Sequence, residues 1–180
     1  VPDLGDLTVH MLEHLFIVGV LAPVLALLVR RRPVAGGLWL VAGVVASSLA
    51  LWLWHVPALF DAADRSPALH AAEHLSFLAT SVLLWWAVWR DGTGAGVIAL
   101  FVSTLPATAL GAALTLAGHP WYSHYPTLAD QRIAGALMWA AGSVTGLAAA
   151  ALAFAAWLTS SDSGGHSSRT PVVMSSRRVG

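Results

Sequence analysis

Five stretches of the chain, at 7–29, 37–57, 69–90, 95–118 and 131–158, are almost wholly apolar and are separated by short polar segments. Each is close to the ~20 residues that a helix needs to cross ~30 Å of hydrocarbon. This constraint leaves little choice of fold: an all-α, polytopic transmembrane helix bundle of about five spans. Only 10% of the residues are charged and 57% are hydrophobic, with a mean hydropathy of +0.73, outside the range of soluble domains. Acids precede the first span and basic residues follow it, the reverse of a signal peptide, so it is expected to stay in the mature protein. Small residues, as in AGGLWLVAGVVASSLA, let membrane helices approach closely. Pro23 is expected to kink the first span and Pro106 the fourth.

The net charge of zero conceals a polarity along the chain. Arg30, Arg31 and Arg32 follow the first span, Arg90 follows the third, and Arg169, Arg177 and Arg178 follow the fifth. The positive-inside rule assigns these to the cytoplasm, with the N-terminus outside and the C-terminus cytoplasmic. Residues 1–158 then form the bundle and residues 159–180, rich in Ser, Gly and Arg, a flexible cytoplasmic tail. On the outer side fall Arg65 and Arg132 alone of the nine basic residues, yet seven of the nine acids and seven of the eight histidines. Those histidines are His10, His14, His55, His70, His74, His119 and His124. The topology was drawn from arginine alone, so their convergence on one surface is an independent outcome.

Four of them belong to a device that occurs twice. His10-Met-Leu-Glu13-His14-Leu and His70-Ala-Ala-Glu73-His74-Leu each open an odd-numbered span, so the two copies run parallel and meet at one depth. Residues four apart share a helix face, and each copy stacks two imidazoles one turn apart beside a carboxylate. Imidazole is a common metal ligand, and ionisable groups near hydrocarbon are costly to keep without a role. The expected site is a metal centre of His10, His14, His70 and His74, with Glu13 and Glu73 orienting the rings or supplying oxygen. His55, closing the second span in Trp54-His55-Val-Pro57, is a further ligand or an interface anchor. Met138 offers a thioether to a soft ion such as Cu(I), or simply packs; Met11 is a weaker candidate. Asp61 and Asp64 are expected to be hydrated, and Asp130 to cap the fifth span.

Ligand chemistry alone leaves copper, zinc and iron open. Cysteine is absent, so thiolate ligands and disulfides are excluded. A haem clamped by His14 and His74 would make the protein a membrane cytochrome. A zinc-dependent hydrolase would use the glutamates as bases. No basic surface suits nucleic acid, and a homo-oligomer is left open.

H-M-L-E-H-L, W-H-V-P-A-L-F, H-A-A-E-H-L-S-F and D-Q-R-I-A-G-A-L-M-W, in this order over about residues 8–145, resemble the CtaG-type cytochrome c oxidase assembly proteins of bacteria. The family pattern falls on His10, His14, Trp54, His55, Pro57, His70, Glu73, His74, Asp130, Gln131, Gly135 and Met138. The resemblance implies a multi-pass protein of the bacterial cytoplasmic membrane, a metallochaperone with its histidines on the extracytoplasmic side. It also implies copper as the ion, the catalytic subunit of a haem-copper oxidase as the partner, and no reaction catalysed.

Overall fold

The chain was examined as a computed structural model, which describes residues 5–29, 37–91 and 94–164. Seven α-helices follow one another: α1 Asp6–Phe16, α2 Ala22–Leu28, α3 Gly37–Trp54, α4 Pro57–Arg65, α5 Pro67–Arg90, α6 Ala95–Leu116 and α7 Leu128–Gly164. A π-turn, Ile17–Leu21, joins α1 to α2 as one continuous rod. Five helical segments are long and apolar enough to cross a bilayer: Asp6–Leu28, Gly37–Trp54, Pro67–Arg90, Ala95–Leu116 and Leu128–Thr159. The all-α bundle of five spans is thus borne out, and its ends fall within a few residues of those read from hydropathy. Arg30, Arg31, Arg32 and the part of the expected tail at 165–180 lie outside the described residues.

Leu28, Leu38, Ile98, Val144 and Leu152 are exposed on the outside of the bundle, where lipid would cover them. Polar groups turn inward instead: Thr8, His10, His14, His55, Glu73, Ser81 and Gln131 are all buried. Hydroxyls on apolar stretches return to their own helix, as Ser48 does to the Val44 carbonyl at 2.7 Å and Thr80 to that of Ser76 at 2.8 Å.

Pro23 falls in the first turn of α2, directly after the π-turn. Lacking an N–H, it cannot bond to the Gly19 carbonyl, and the irregularity expected of it takes the form of that widened turn. The Trp85 indole donates to the Val18 carbonyl at 3.2 Å, satisfying one acceptor there and tying α5 to the first span. Pro106 lies inside α6, which continues through it.

Between the second and third spans the chain forms α4. Pro57 sits at its start, where a missing N–H costs nothing, and Phe60 and Ala63, three residues apart, bury one face. The short helix closes one end of the bundle.

α6 and α7 pack backbone against backbone. A Cβ added at Gly135 would lie 2.8 Å from the Gly111 carbonyl oxygen, and one at Gly111 would lie 2.7 Å from the Gly135 oxygen. Both obstacles are backbone, so neither can yield without parting the helices. Gly135→Ala is therefore expected to cost about 1–3 kcal/mol, as overpacking does. The check is a lowered thermal midpoint in detergent, against Gly118→Ala as control, since nothing lies within 4 Å of a Cβ there.

Candidate metal centre

The end of the bundle that carries the histidines is assembled by long-range polar contacts. The first N–H groups of a helix have no partner within it. In α1 these are answered from the far end of the sequence: the Asp130 carboxylate accepts from Leu7 N at 3.0 Å and Thr8 N at 3.2 Å, and from the Thr8 hydroxyl. Gly5 makes room, because any Cβ there would strike that carboxylate. Asp130 was expected to cap its own helix; it caps α1 instead, pinning the start of the first span to the start of the last. Gln131, wholly buried, accepts from Trp121 N and donates to the Leu114 carbonyl, which fixes the 117–127 loop.

Asp61 and Asp64, expected to be hydrated, also tie this loop down. Asp61 accepts from Ser123 N at 3.0 Å, and Asp64 from the Tyr125 hydroxyl at 2.7 Å. Tyr122 stacks on Phe60 with ring centres 4.0 Å apart and donates to the His55 carbonyl. Burial raises the pKa of both phenols above its ordinary value, helped at Tyr125 by the Asp64 hydrogen bond, so both remain donors.

Beneath this cover five imidazoles converge. Ring centres are 4.3 Å apart for His10 and His14, 5.2 Å for His10 and His70, 5.0 Å for His14 and His74, and 5.9 Å for His14 and His55. His119 and His124 are exposed and do not join them; His124 pairs with Asp64 at 3.1 Å. The two sequence copies are used differently. α1 turns His10 and His14 inward and leaves Glu13 56% exposed, whereas α5 buries Glu73 to 1% and leaves His70 and His74 half-buried. Neighbouring residues decide this rotation. Leu7 and Met11 extend the histidine face of α1, while Phe77, Ser81, Leu84 and Val88 extend the Glu73 face of α5.

Glu73 therefore enters the cluster itself. Its Oε1 lies 3.5 Å from His14 Nε2 and 3.8 Å from His10 Nε2, too long for a hydrogen bond. Donors around a tetrahedral ion at ~2.0 Å are separated by roughly 3.3 Å, so these gaps suit a shared ion. Two groups have ligand atoms mutually within 4.8 Å: His10, His14 and Glu73, all buried, and His10, Glu13 and His70, nearer the rim. His74 Nε2 stands 3.9 Å from Glu13. Six of the seven buried side-chain N or O atoms lacking a hydrogen-bond partner among the described residues belong here: His10 Nε2, both nitrogens of His14, His55 Nε2, Glu73 Oε1 and His74 Nε2. Such atoms are rare in folded proteins and each costs about 1–3 kcal/mol, so the donor set fits a cation.

Residues 28–160 match the family described as cytochrome c oxidase caa3 assembly factor. The chain belongs to this family. The matched region holds His55, His70, Glu73, His74 and Met138, whereas His10, Glu13 and His14 precede it and enter the site through the geometry of α1. No curated protein and no solved structure matches the chain. The resemblance is borne out at family level, and three of its four motifs lie within the matched residues.

His55 is held differently from the rest. Its Nδ1 lies 2.8 Å from the Leu51 carbonyl, which can only accept, so Nδ1 carries the proton and Nε2 offers a lone pair. Burial pushes its pKa from 6.5 to about 4, against the opposing pull of the Leu51 hydrogen bond and of Glu73. Between these pH values the unfolded chain binds a proton that the folded chain refuses, so stability rises with pH. The metal-free assembly factor is expected to lose on the order of 3 kcal/mol through this group as pH falls from 6.5 to about 4. Thermal unfolding in detergent across that range checks it, with a shallower slope for His55→Gln.

Proposed function

We propose that this assembly factor binds copper at the imidazole cluster and passes it to the catalytic subunit of a haem-copper oxidase. Copper is cargo in this reading, and no reaction is catalysed. His10, His14, His70 and His74 form the ligand field, with Glu73 as the buried carboxylate, Glu13 at the rim and His55 and Met138 behind. The observation that carries it is the cluster of buried nitrogen and carboxylate atoms left without partners, in a chain whose family serves oxidase assembly. An ion supplies to each what the fold withholds.

Haem suits the geometry less well. The His14 and His74 rings meet edge to face at 5.0 Å, which leaves no slot for a macrocycle between them. A zinc hydrolase needs an open position for water beside its base. Glu73, 1% exposed, has no such position, and the family's part in oxidase assembly favours copper over hydrolysis.

Elemental analysis of detergent-purified protein tests the reading. Wild type is expected to retain copper through dialysis, while His10→Ala and Glu73→Gln bind it at least tenfold more weakly, the range seen when a ligand or its support is lost. Equal copper in wild type and both variants would end the proposal.

The arginine distribution supports an extracytoplasmic position for the cluster. Since the chain has no cysteine, a single Gly118→Cys provides a clean label beside the histidine end. A membrane-impermeant maleimide is expected to modify it in intact cells; labelling only after lysis would reverse the orientation.

A further inference from the structure

Directly below the imidazoles lies a partly open cavity of about 140 Å³, lined by residues from all five spans. His14 and His55 reach it from the histidine end, and Met11 and Met138 are part of its wall. Both methionines are buried and belong to one packed cluster, although α1 and α7 bring them from opposite ends of the sequence. Met11, the weaker candidate in the sequence, is three residues from His14 and so shares its face.

Three properties of this cavity point the same way. First, its imidazoles carry unsatisfied nitrogens: His55 Nε2 presents a lone pair fixed by the Leu51 hydrogen bond, and both nitrogens of His14 lack partners among the described residues. Second, thioether sulfur is a soft ligand, and methionine has the rotatable bonds to turn it into an available space. Third, no carboxylate lines the cavity. The cost of placing an ion in an apolar medium rises with the square of its charge, so neutral donors in such a wall favour a monovalent ion over a divalent one.

We infer that this cavity is a second, inner station that takes monovalent copper on His14, His55, Met11 and Met138, beneath the carboxylate-bearing rim. The inference deepens the copper reading and rests on it. His14 belongs to both stations, being in the group with His10 and Glu73 and in the cavity wall, so it stays on the ion while other ligands exchange. The ion moves as Cu(I) throughout, and no electron is transferred. Descent replaces an imidazole and a carboxylate by thioethers and a second imidazole, which selects against zinc as it proceeds.

The test uses the full chain in detergent under reducing conditions. Cu(I) is titrated against a chromophoric Cu(I) chelator, Zn(II) is titrated separately, and X-ray absorption reads the ligands of bound copper. Wild type is expected to show sulfur around Cu(I). The double variant Met11→Leu/Met138→Leu, nearly volume-conserving, is expected to lose that sulfur and at least tenfold in Cu(I) affinity while keeping its Zn(II) affinity. A His70→Ala variant should show the converse, weakened Zn(II) with the sulfur signal intact. Because the chain has three methionines and the third, Met174, lies in the tail, selenomethionine protein gives a second readout without mutation. Copper seen from the selenium edge supports the station. Copper without sulfur or selenium neighbours, or Cu(I) affinity indifferent to the methionines while Zn(II) still binds, overturns the inner station alone. Wild type that binds neither ion overturns this and the rim site together.

Discussion

A carboxylate buried to 1% between membrane-spanning helices is the constraint around which this structure is arranged. Withdrawing such a group from water costs several kcal/mol unless charge or hydrogen bonds compensate. Glu73 Oε1 has no hydrogen bond, and its nearest cationic candidates are two imidazoles at 3.5 and 3.8 Å. The rings in turn are unsatisfied at the nitrogens that face it. A fold that keeps lone pairs from water and from each other holds an unfavourable term that a bound cation would remove, which makes the same term a source of affinity.

Keeping that arrangement requires rigid surroundings, and the polar residues at this end of the bundle supply them. Asp130 fixes the start of α1 to α7, Gln131 holds the loop, and Asp61 and Asp64 draw the loop over α4. Each uses a backbone N–H or a hydroxyl left over at a helix end or turn. Within D-Q-R at the start of the last span, Asp130 thus sets where His10 and His14 stand, and Gln131 holds the loop beside them.

The spans were legible because a bilayer imposes one length and one composition on every helix that crosses it. The imidazole cluster was legible because spacing of four on a helix survives any tertiary arrangement. What escaped depended on partners far away in sequence. Asp130 reaches across 122 and 123 residues to α1, and Asp61 across 62 to Ser123, so both read as ordinary surface acids. The unequal use of the two H-x-x-E-H copies is different, since a local signal existed. Apolar residues continue from Glu73 at spacings of four and eleven, as Phe77 and Leu84, whereas the residues that extend the buried face of α1 are Leu7 and Met11 beside the histidines. Matching motifs invite the assumption of matching roles; the residues around them assign the faces.

On the proposed function, that asymmetry bears on delivery. A carrier must bind its ion and also release it, and a closed cage of four buried ligands does the first at the expense of the second. Here the carboxylates differ in depth: Glu13 is 56% exposed at the rim and Glu73 is buried, with His10 common to both ligand groups. An ion meeting Glu13, His10 and His70 loses part of its hydration while one side stays open to solvent or to a partner's ligands. Moving inward would exchange Glu13 and His70 for Glu73 and His14 around the same His10, so no step would require the ion to be bare. Two identical, symmetrically buried copies would make a tighter trap with no such ladder, and rotation of one helix against its duplicate is what would open the route.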